Sequence, residues 1–470
     1  MKRIVLTYPN QRWEKVDSNT NWDLSPATLC LLGAMIKDLF EVKIIDAHFY
    51  NLSVEEFKDQ LREFKPDFVG ISVLTTEYAK ILDIAAAAAK DVNKEIIVIA
   101  GGVHVTMEYE SIMKNNHINY AIRGEGEYVL RDLLKYLDGT GTIPSKGLVY
   151  WENGEIVVQE QAFVEDLTKL PWPDYSLVRF EDYIHKGPRI GPHRPPEYPY
   201  VMIAATRGCP FGCSFCQVET ISGRKVRARD PEDFVDELIF LKQRYGIKSL
   251  IFVDDNIVMA KDFFIRMLEL FIEKKLDLKF FIGAFAIFLL TDELLDLMVK
   301  AGCVGVNVAI EAGTERVLKE IIHKPVNLEK AKDMIAKIIS RGLYCLANFI
   351  VGFPGETWNE IRETIRYAET CGADYVKIFV AVPLNRTKMR DAAKKMGVLT
   401  DSEHVNVDWR YGQIVSEEWT SKDVSILRAY EWDRINFSTP ERRKKTSELW
   451  GISEQEMEKI RKETRDALKF

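Results

Sequence analysis

Twice along this chain, short apolar runs alternate with segments apolar at helical spacing, and no other feature constrains the fold as tightly. In the first series the strand-like runs are Arg3–Tyr8, Glu41–Asp46, 67–73, 95–100 and 120–123. Helical patterns over 26–39, Val54–Phe64, 78–92 and Glu127–Leu137 separate them. Strands alternating with helices predict an α/β fold, a doubly wound parallel sheet. Such a sheet binds ligands beyond the carboxyl ends of its strands. Functional residues are therefore expected just after Tyr8, Val73 and Ala100.

The rhythm breaks over residues 141–195. Residues 147–160 carry Asn153-Gly154 between two β-rich runs, the signature of a hairpin. The proline-rich segments at 170–174 and 187–199 read as extended linker. The second series supplies strand-like runs at 200–205, 249–253, 279–284, 305–310, 343–351 and 374–380. Helical patterns fall at Pro231–Tyr245, Lys261–Glu273, 292–301, 315–322, 328–341 and 358–371. About six β/α units make a partial, open version of the eightfold barrel. Beyond 390 the pattern is charged and helical, and Arg442-Arg443-Lys444-Lys445 reads as a solvated face. At 470 residues the chain exceeds one ordinary core. The expected divisions are a first domain over 1–140, a linker with hairpin over 141–195, a barrel over 196–390 and a helical carboxy-terminal segment over 391–470.

Charge narrows the partners. The 64 Lys+Arg against 71 Asp+Glu give −7, so no basic excess supplies a general grip on nucleic acid. No apolar run reaches the roughly 18 residues of a membrane helix. Asn10, Gln11, Arg12 and Glu14 also interrupt any leader-like start, and a cytoplasmic location is expected.

Seven cysteines in a chain this long are not a disulfide scaffold. Cys30, Cys303, Cys345 and Cys371 stand singly among apolar or small neighbours and read as buried small hydrophobes. Cys209, Cys213 and Cys216 differ. They lie in Thr206-Arg207-Gly208-Cys209-Pro210-Phe211-Gly212-Cys213-Ser214-Phe215-Cys216, directly after the first strand of the second series. Spacings of three and two residues let one short loop wrap thiolates around a compact metal centre, and its glycines suit irregular backbone. A structural zinc site needs a fourth protein ligand, and no second CxxC or HxxxH pair exists. Three thiolates without a fourth fit a 4Fe–4S cluster with one iron left open.

With that loop the chain resembles the radical SAM superfamily over residues 200–385. The resemblance implies that the open iron chelates S-adenosylmethionine (SAM) and that cleavage yields a 5′-deoxyadenosyl radical. Phe215 of the loop goes with this cofactor set. Asp254 and Asp255, ending the second barrel strand, match positions where the family sets polar groups against the methionine end of SAM. Ala309-Ile310-Glu311-Ala312-Gly313 resembles the family's GIESG segment, implying a SAM contact for Glu311. The stretch 349–357, with Gly352, Gly355 and Glu356, resembles the segment beside the adenine. Arg229 precedes Asp230-Pro231, which read as N-cap and first helical residue; Arg229 itself is a candidate partner of the SAM carboxylate or the cluster.

The first domain resembles the cobalamin-binding domain of one large radical SAM branch, the cobalamin-dependent methyltransferases among them. The matching residues are Ser72-Val73-Leu74, Gly101-Gly102-Val103-His104-Val105-Thr106 and Arg123-Gly124-Glu125-Gly126-Glu127. The resemblance implies that Ser72, Leu74, Gly101, Gly102, His104, Thr106 and Glu125 frame the slot for the nucleotide tail. Glycines let a tail lie against backbone, and hydroxyls hydrogen-bond its polar edges. One departure is plain: the loop after the first strand, 7–13, lacks the D-x-H-x-x-G of enzymes that ligate cobalt from below. Asp46-Ala47-His48 follows the second strand and lacks the spaced glycine, so His48 reads as a surface or turn residue.

The resemblance implies methylation of an unactivated carbon, one SAM methylating cob(I)alamin and a second supplying the radical. A cyclase or rearrangement enzyme like the anaerobic porphyrin-ring cyclases is the alternative. A methylthiotransferase would need a second cysteine-bound cluster, and a cobalamin or redox sensor would need a dead barrel. An electron donor such as ferredoxin or flavodoxin is implied. The substrate stays open among lipid, tetrapyrrole, peptide and natural product. The aromatic residues Trp409, Tyr411, Trp419, Trp432 and Phe437 are expected to form the core of the carboxy-terminal segment.

Overall fold

The computed structural model describes residues 1–14, 25–74, 79–186 and 195–466. The helix start at Tyr78 and the first part of the proline-rich linker fall outside them. The chain divides into two compact units, Met1–Pro188 and Arg189–Phe470.

The first unit is built on a seven-stranded sheet. Its strands are β1 (Arg3–Tyr8), β2 (Glu41–Asp46), β3 (Phe68–Ser72), β4 (Ile97–Gly101), β5 (Tyr120–Ile122), β6 (Leu148–Glu152) and β7 (Glu155–Val158), in the order β2-β1-β3-β4-β5-β6-β7. The first five pair parallel, and the hairpin β6–β7 continues the sheet antiparallel from β5. Asn153 (φ 51°) and Gly154 (φ 85°) turn that hairpin with two left-handed residues, as a tight two-residue loop requires. The hairpin is thus the sheet's edge.

Helices α1 (Ala27–Ile36), α2 (Val54–Phe64), α3 (Ala79–Val92), α4 (Val103–Ile112) and α5 (Glu127–Leu137) connect the strands, and α6 (Phe180–Lys186) ends the unit. In α2, Ser53 and Glu56 form a reciprocal capping box, while Phe57 and Leu61 are wholly buried four residues apart. Burying each such side chain contributes about 1.5–3 kcal/mol. Two apolar layers result, one containing Val69, Val98 and the alanines of α3, the other containing Ile4, Ile99, Leu133 and Leu134.

The second unit carries β8 (Tyr200–Ile203), a two-residue ribbon of β9 (Thr206–Arg207) and β10 (Arg227–Ala228), then β11 (Ser249–Phe252), β12 (Lys279–Phe285), β13 (Cys303–Glu311), β14 (Tyr344–Val351) and β15 (Tyr375–Val380). Six of these form one parallel sheet, β8-β11-β12-β13-β14-β15. Its helices are α7 (Val218–Ile221), α8 (Pro231–Tyr245), α9 (Lys261–Glu273), α10 (Asp292–Lys300), α11 (Leu328–Ser340), α12 (Trp358–Thr370) and α13 (Lys388–Met396). Asp230 caps α8 by accepting from Asp233 N, with Pro231 first in the helix. One expected helix is of another kind: Val317–Ile322 is a π-helix, ending at His323 with φ 63°.

Helices α14 (Ser421–Phe437), α15 (Pro440–Trp450) and α16 (Glu454–Asp466) close the chain. Trp432 donates to Tyr375 Oη at 2.7 Å, and Asn436 Oδ1 accepts from Val376 N at 2.8 Å, so α14 is bonded to β15. Trp419, Trp432 and Phe437 are buried, as expected, whereas Trp409 and Tyr411 are only partly so.

Candidate functional site

The candidate cluster and SAM residues of the second unit lie at or beyond the carboxyl ends of the barrel strands β8, β11, β13 and β14. The cysteine loop leaves β8 and is fixed by carboxylates from the end of β11. Asp254 Oδ1 accepts from Ala205 N (2.9 Å), Thr206 N (2.6 Å) and Thr206 Oγ1 (2.6 Å). Asp255 Oδ2 accepts from Gly208 N at 2.9 Å. Gly208 has φ +92°, and a Cβ there would lie 2.3 Å from Lys225 O, so only glycine fits this bend. Further on, Ser214 N donates to Ile322 O (2.9 Å), and Ser214 O accepts from Met389 N in α13 (2.8 Å). The loop is clamped from both sides by backbone.

Cys209, Cys213 and Cys216 are half-buried, whereas Cys30, Cys303, Cys345 and Cys371 are buried. Burial is the main cause raising all three loop thiols, with Cys216 pushed up to about 12; Cys209 adds to the rise at Cys213, and both add to it at Cys216. Lys324 acts oppositely on Cys209 and Cys213. Metal binding deprotonates such thiols, so this donor set fits a cluster. Among the described residues no trio of His, Cys, Asp or Glu is closed around a single ion.

Glu311 ends β13 with φ 76°, a left-handed conformation that costs a residue with a side chain about 1–3 kcal/mol. A register shift between Ala309 and Glu311 accompanies it. Its Oε1 accepts from Lys324 Nζ at 2.7 Å, both side chains 8% exposed. Lys324 is a residue that the motifs do not mark. The π-helix places it, since Lys324 N donates to Leu318 O where that helix ends. π-helical turns concentrate at functional sites.

Glu356 is buried beyond β14, and its Oε2 accepts from Gly352 N (2.7 Å) and Phe353 N (2.9 Å). Burial raises its pKa to about 8, and its Oε1 has no partner. Asp254 is raised to about 6 for the same reason, and its Oδ2 has none either. These orphaned oxygens at the strand ends fit a polar cofactor such as SAM. Phe215 packs against Phe353, centroids 5.9 Å apart. Gly352 and Gly355 both have positive φ, and Gly355 O accepts from Arg316 Nη2 at 2.9 Å. Arg229 is already engaged: its guanidinium pairs with Glu237 and, at 3.0 Å, with Asp233, so its charge is neutralised within α8.

In the first unit the glycine pair splits into two roles. Gly102 has φ +97°, and a Cβ on it would lie 2.4 Å from Val73 O, so it lets α4 approach the end of β3. Gly101 has open space where its Cβ would be, a cradle that a tail lying on backbone would fill. Ser72 Oγ and Leu74 are partly exposed beside this turn. His104 is buried, its Nδ1 without a partner, and burial lowers its pKa to about 4. Thr106 is committed locally, donating to Gly102 O and accepting from Gly124 N, both at 3.0 Å. Glu125 accepts from Val164 N at 2.5 Å. His48 is not at the surface. It is buried, and its Nδ1 accepts from Gln11 N at 3.3 Å, tying the turn after β2 to the loop after β1.

The sequence profile of the Radical SAM superfamily matches residues 203–368, and that of the B12 binding domain matches residues 16–134. The chain belongs to the radical SAM enzymes that carry a B12-binding domain. The cofactors of this radical SAM enzyme are a 4Fe–4S cluster, SAM and cobalamin.

An uncharacterised methyltransferase of Pyrococcus horikoshii is 29% identical over 86% of this chain and 85% of its own. Cytidylyl-2-hydroxyethylphosphonate methyltransferase of Streptomyces wedmorensis is 26% identical over 81% and 77%. The anaerobic magnesium-protoporphyrin IX monomethyl ester cyclase of Rubrivivax gelatinosus is 28% identical over 79% and 66%. Among solved structures, the cobalamin-dependent SAM radical enzyme OxsB with aqua-cobalamin bound has the same fold, with TM-score 0.75 at 16% identity over 100% of this chain and 72% of that one. Among the described residues no helix is long and apolar enough to cross a membrane.

Proposed function

We propose that this radical SAM enzyme methylates an unactivated carbon of its substrate, with cobalamin as methyl carrier. The observation that carries this reading is the three-thiol loop without a fourth protein ligand, on a chain that also holds a B12-binding unit. Relatives that are methyltransferases over most of both chains support it. When bound, the three cofactors supply the one-electron chemistry and the transferable methyl group.

The chain's own residues orient and shield. Cys209, Cys213 and Cys216 hold the cluster, while Asp254 and Asp255 fix the first turn of their loop. Glu311, Gly352, Gly355, Glu356 and Phe215 frame SAM, and the Lys324–Glu311 pair sets the charge beside Cys213. Ser72, Leu74, Gly101, Gly102 and His104 frame the cobalamin tail, with Thr106 and Glu125 holding that frame. The electron donor is a low-potential carrier of the ferredoxin or flavodoxin class.

Similarity to the cyclase favours ring closure as the second reading. Reduced, anaerobic enzyme supplied with SAM labelled in its methyl group separates the two. Methylation gives one S-adenosylhomocysteine and one 5′-deoxyadenosine per turnover, with label in a product heavier by one CH₂. Deoxyadenosine without S-adenosylhomocysteine would sink methylation in favour of the cyclase reading.

A further inference from the structure

Inside the six-stranded sheet of the second unit lies a cavity of about 250 Å³, lined in part by Ile251, Phe281, Tyr344, Leu346, Asn307 and Lys377. Most of its wall is apolar: Ile251 and Phe281 belong to a packed cluster with Tyr200 and Met202. Lys377 breaks that character. It projects from the middle of β15, and among the described residues its ammonium has no hydrogen-bond or ion-pair partner. Burial lowers its pKa to about 8. The other titratable groups on the wall do not serve. Lys279 is paired with Glu197 at 3.3 Å, and Glu448 is exposed on α15.

Lys377 is only partly exposed, and a cation among apolar side chains favours a ligand that brings a counter-charge. The polar atoms near it are unsatisfied too. Asn307 donates to Gly283 O at 2.9 Å, but its Oδ1 has no partner; neither has Oδ1 of Asn348, which pairs in register with Lys377. We propose that this cavity receives an apolar carboxylic acid, its carboxylate paired with Lys377 and its body against Phe281, Tyr344 and Leu346. The site lies among the first halves of the strands, apart from the strand ends that carry the candidate cluster and SAM residues, so the acid is a second ligand of this enzyme and its binding does not depend on the methylation reading. Pocket anatomy supports the class: a predominantly hydrophobic lining with one charged group fixes an amphipathic ligand's orientation.

The test uses anaerobic holoenzyme with 4-phenylbutyrate and its neutral counterpart 4-phenylbutanol, followed by calorimetry. The acid is expected to bind at one site at least about tenfold more tightly than the alcohol, the scale of one charge-assisted hydrogen bond. Lys377→Met is expected to erase the difference, and Lys377→Arg to keep most of it. Equal binding of acid and alcohol, no binding of the acid, or undiminished preference in Lys377→Met would each overturn the proposal. Should Lys377→Met not fold, the acid–alcohol comparison on the natural enzyme and on Lys377→Arg still decides. Binding is read without turnover, so its failure leaves the SAM-labelling result on methylation standing, and the reverse also holds.

Discussion

Glu356 and Asp254 are buried carboxylates whose main partners are backbone N–H groups, and this makes them sensitive to pH in a definite direction. Burial holds Glu356 near 8 in the folded chain, against about 4.3 when unfolded. The folded state therefore binds the extra proton between those values, and stability falls as pH rises from about 4.5 to 8, levelling above. Apo-protein unfolded by denaturant under anaerobic conditions should lose stability across that window, and Glu356→Gln should flatten its upper part, above about pH 6, leaving the slope that Asp254 contributes below. A curve still steep in that upper part in the variant would place the titration elsewhere. The Glu311–Lys324 pair makes a second residue-scale prediction. Removing one partner of a buried pair strands the other charge, costing about 3–5 kcal/mol. Lys324→Met should therefore destabilise by about that much, and Glu311→Gln added to it should restore a large part. Glu311 was legible in the sequence because its segment resembles a family motif. Lys324 was not, since a lysine 13 residues downstream becomes its partner only through the π-helical turn between them.

Elements were legible where one period dominated. Helices α2, α5, α8 and α9 match the sequence pattern residue for residue, because each presents one apolar stripe and is bounded by caps or turn residues. Several elements escaped, among them α4, α6, α7, α13 and the β9–β10 ribbon, and the π-helix was read as an ordinary helix. The π-helix shifts its bonding by one residue, which an apolar period of 3.6 cannot reveal. Helix α4 starts directly on the glycine pair, where a turn signal masks it, and a non-helical kink at Glu108 interrupts its period. That glycine pair gives a sharp prediction. Gly102→Ala would press a Cβ against Val73 O at positive φ and should destabilise the first unit measurably in thermal unfolding. At Gly101 an added Cβ meets no atom within 4 Å, so Gly101→Val should leave the melting temperature within a few degrees, yet the purified protein should retain much less cobalamin. If Gly101→Val retains full cobalamin, the tail does not lie over this turn.

At the scale of the whole molecule, the two alternating series in the sequence correspond to two compact units, each with a sheet and a core of its own. What the sequence did not disclose is that the hairpin belongs to the first sheet, because a hairpin's neighbour is a long-range choice that its own turn residues do not encode. Nor could spacing reveal the cavity, which arises only when luminal residues from separate strands face one another. Separate cores predict that the two metal cofactors load separably, since the residues proposed for each site come from one unit. The cluster loop is fastened by Asp254, Asp255, Ile322 and Met389, all in the second unit, and the Gly101 turn by Val73 in the first. Replacing Cys209, Cys213 and Cys216 together by alanine should remove the roughly four irons per chain of a 4Fe–4S cluster. The same variant should retain cobalamin at the natural level, read from its corrin absorption. Gly101→Val should show the converse, full iron and little cobalamin. Both variants should fail to yield methylated product, since that outcome draws on both sites. Loss of both cofactors from either variant would mean that the units do not load independently, and retention of full iron by the triple variant would remove the cluster from this loop.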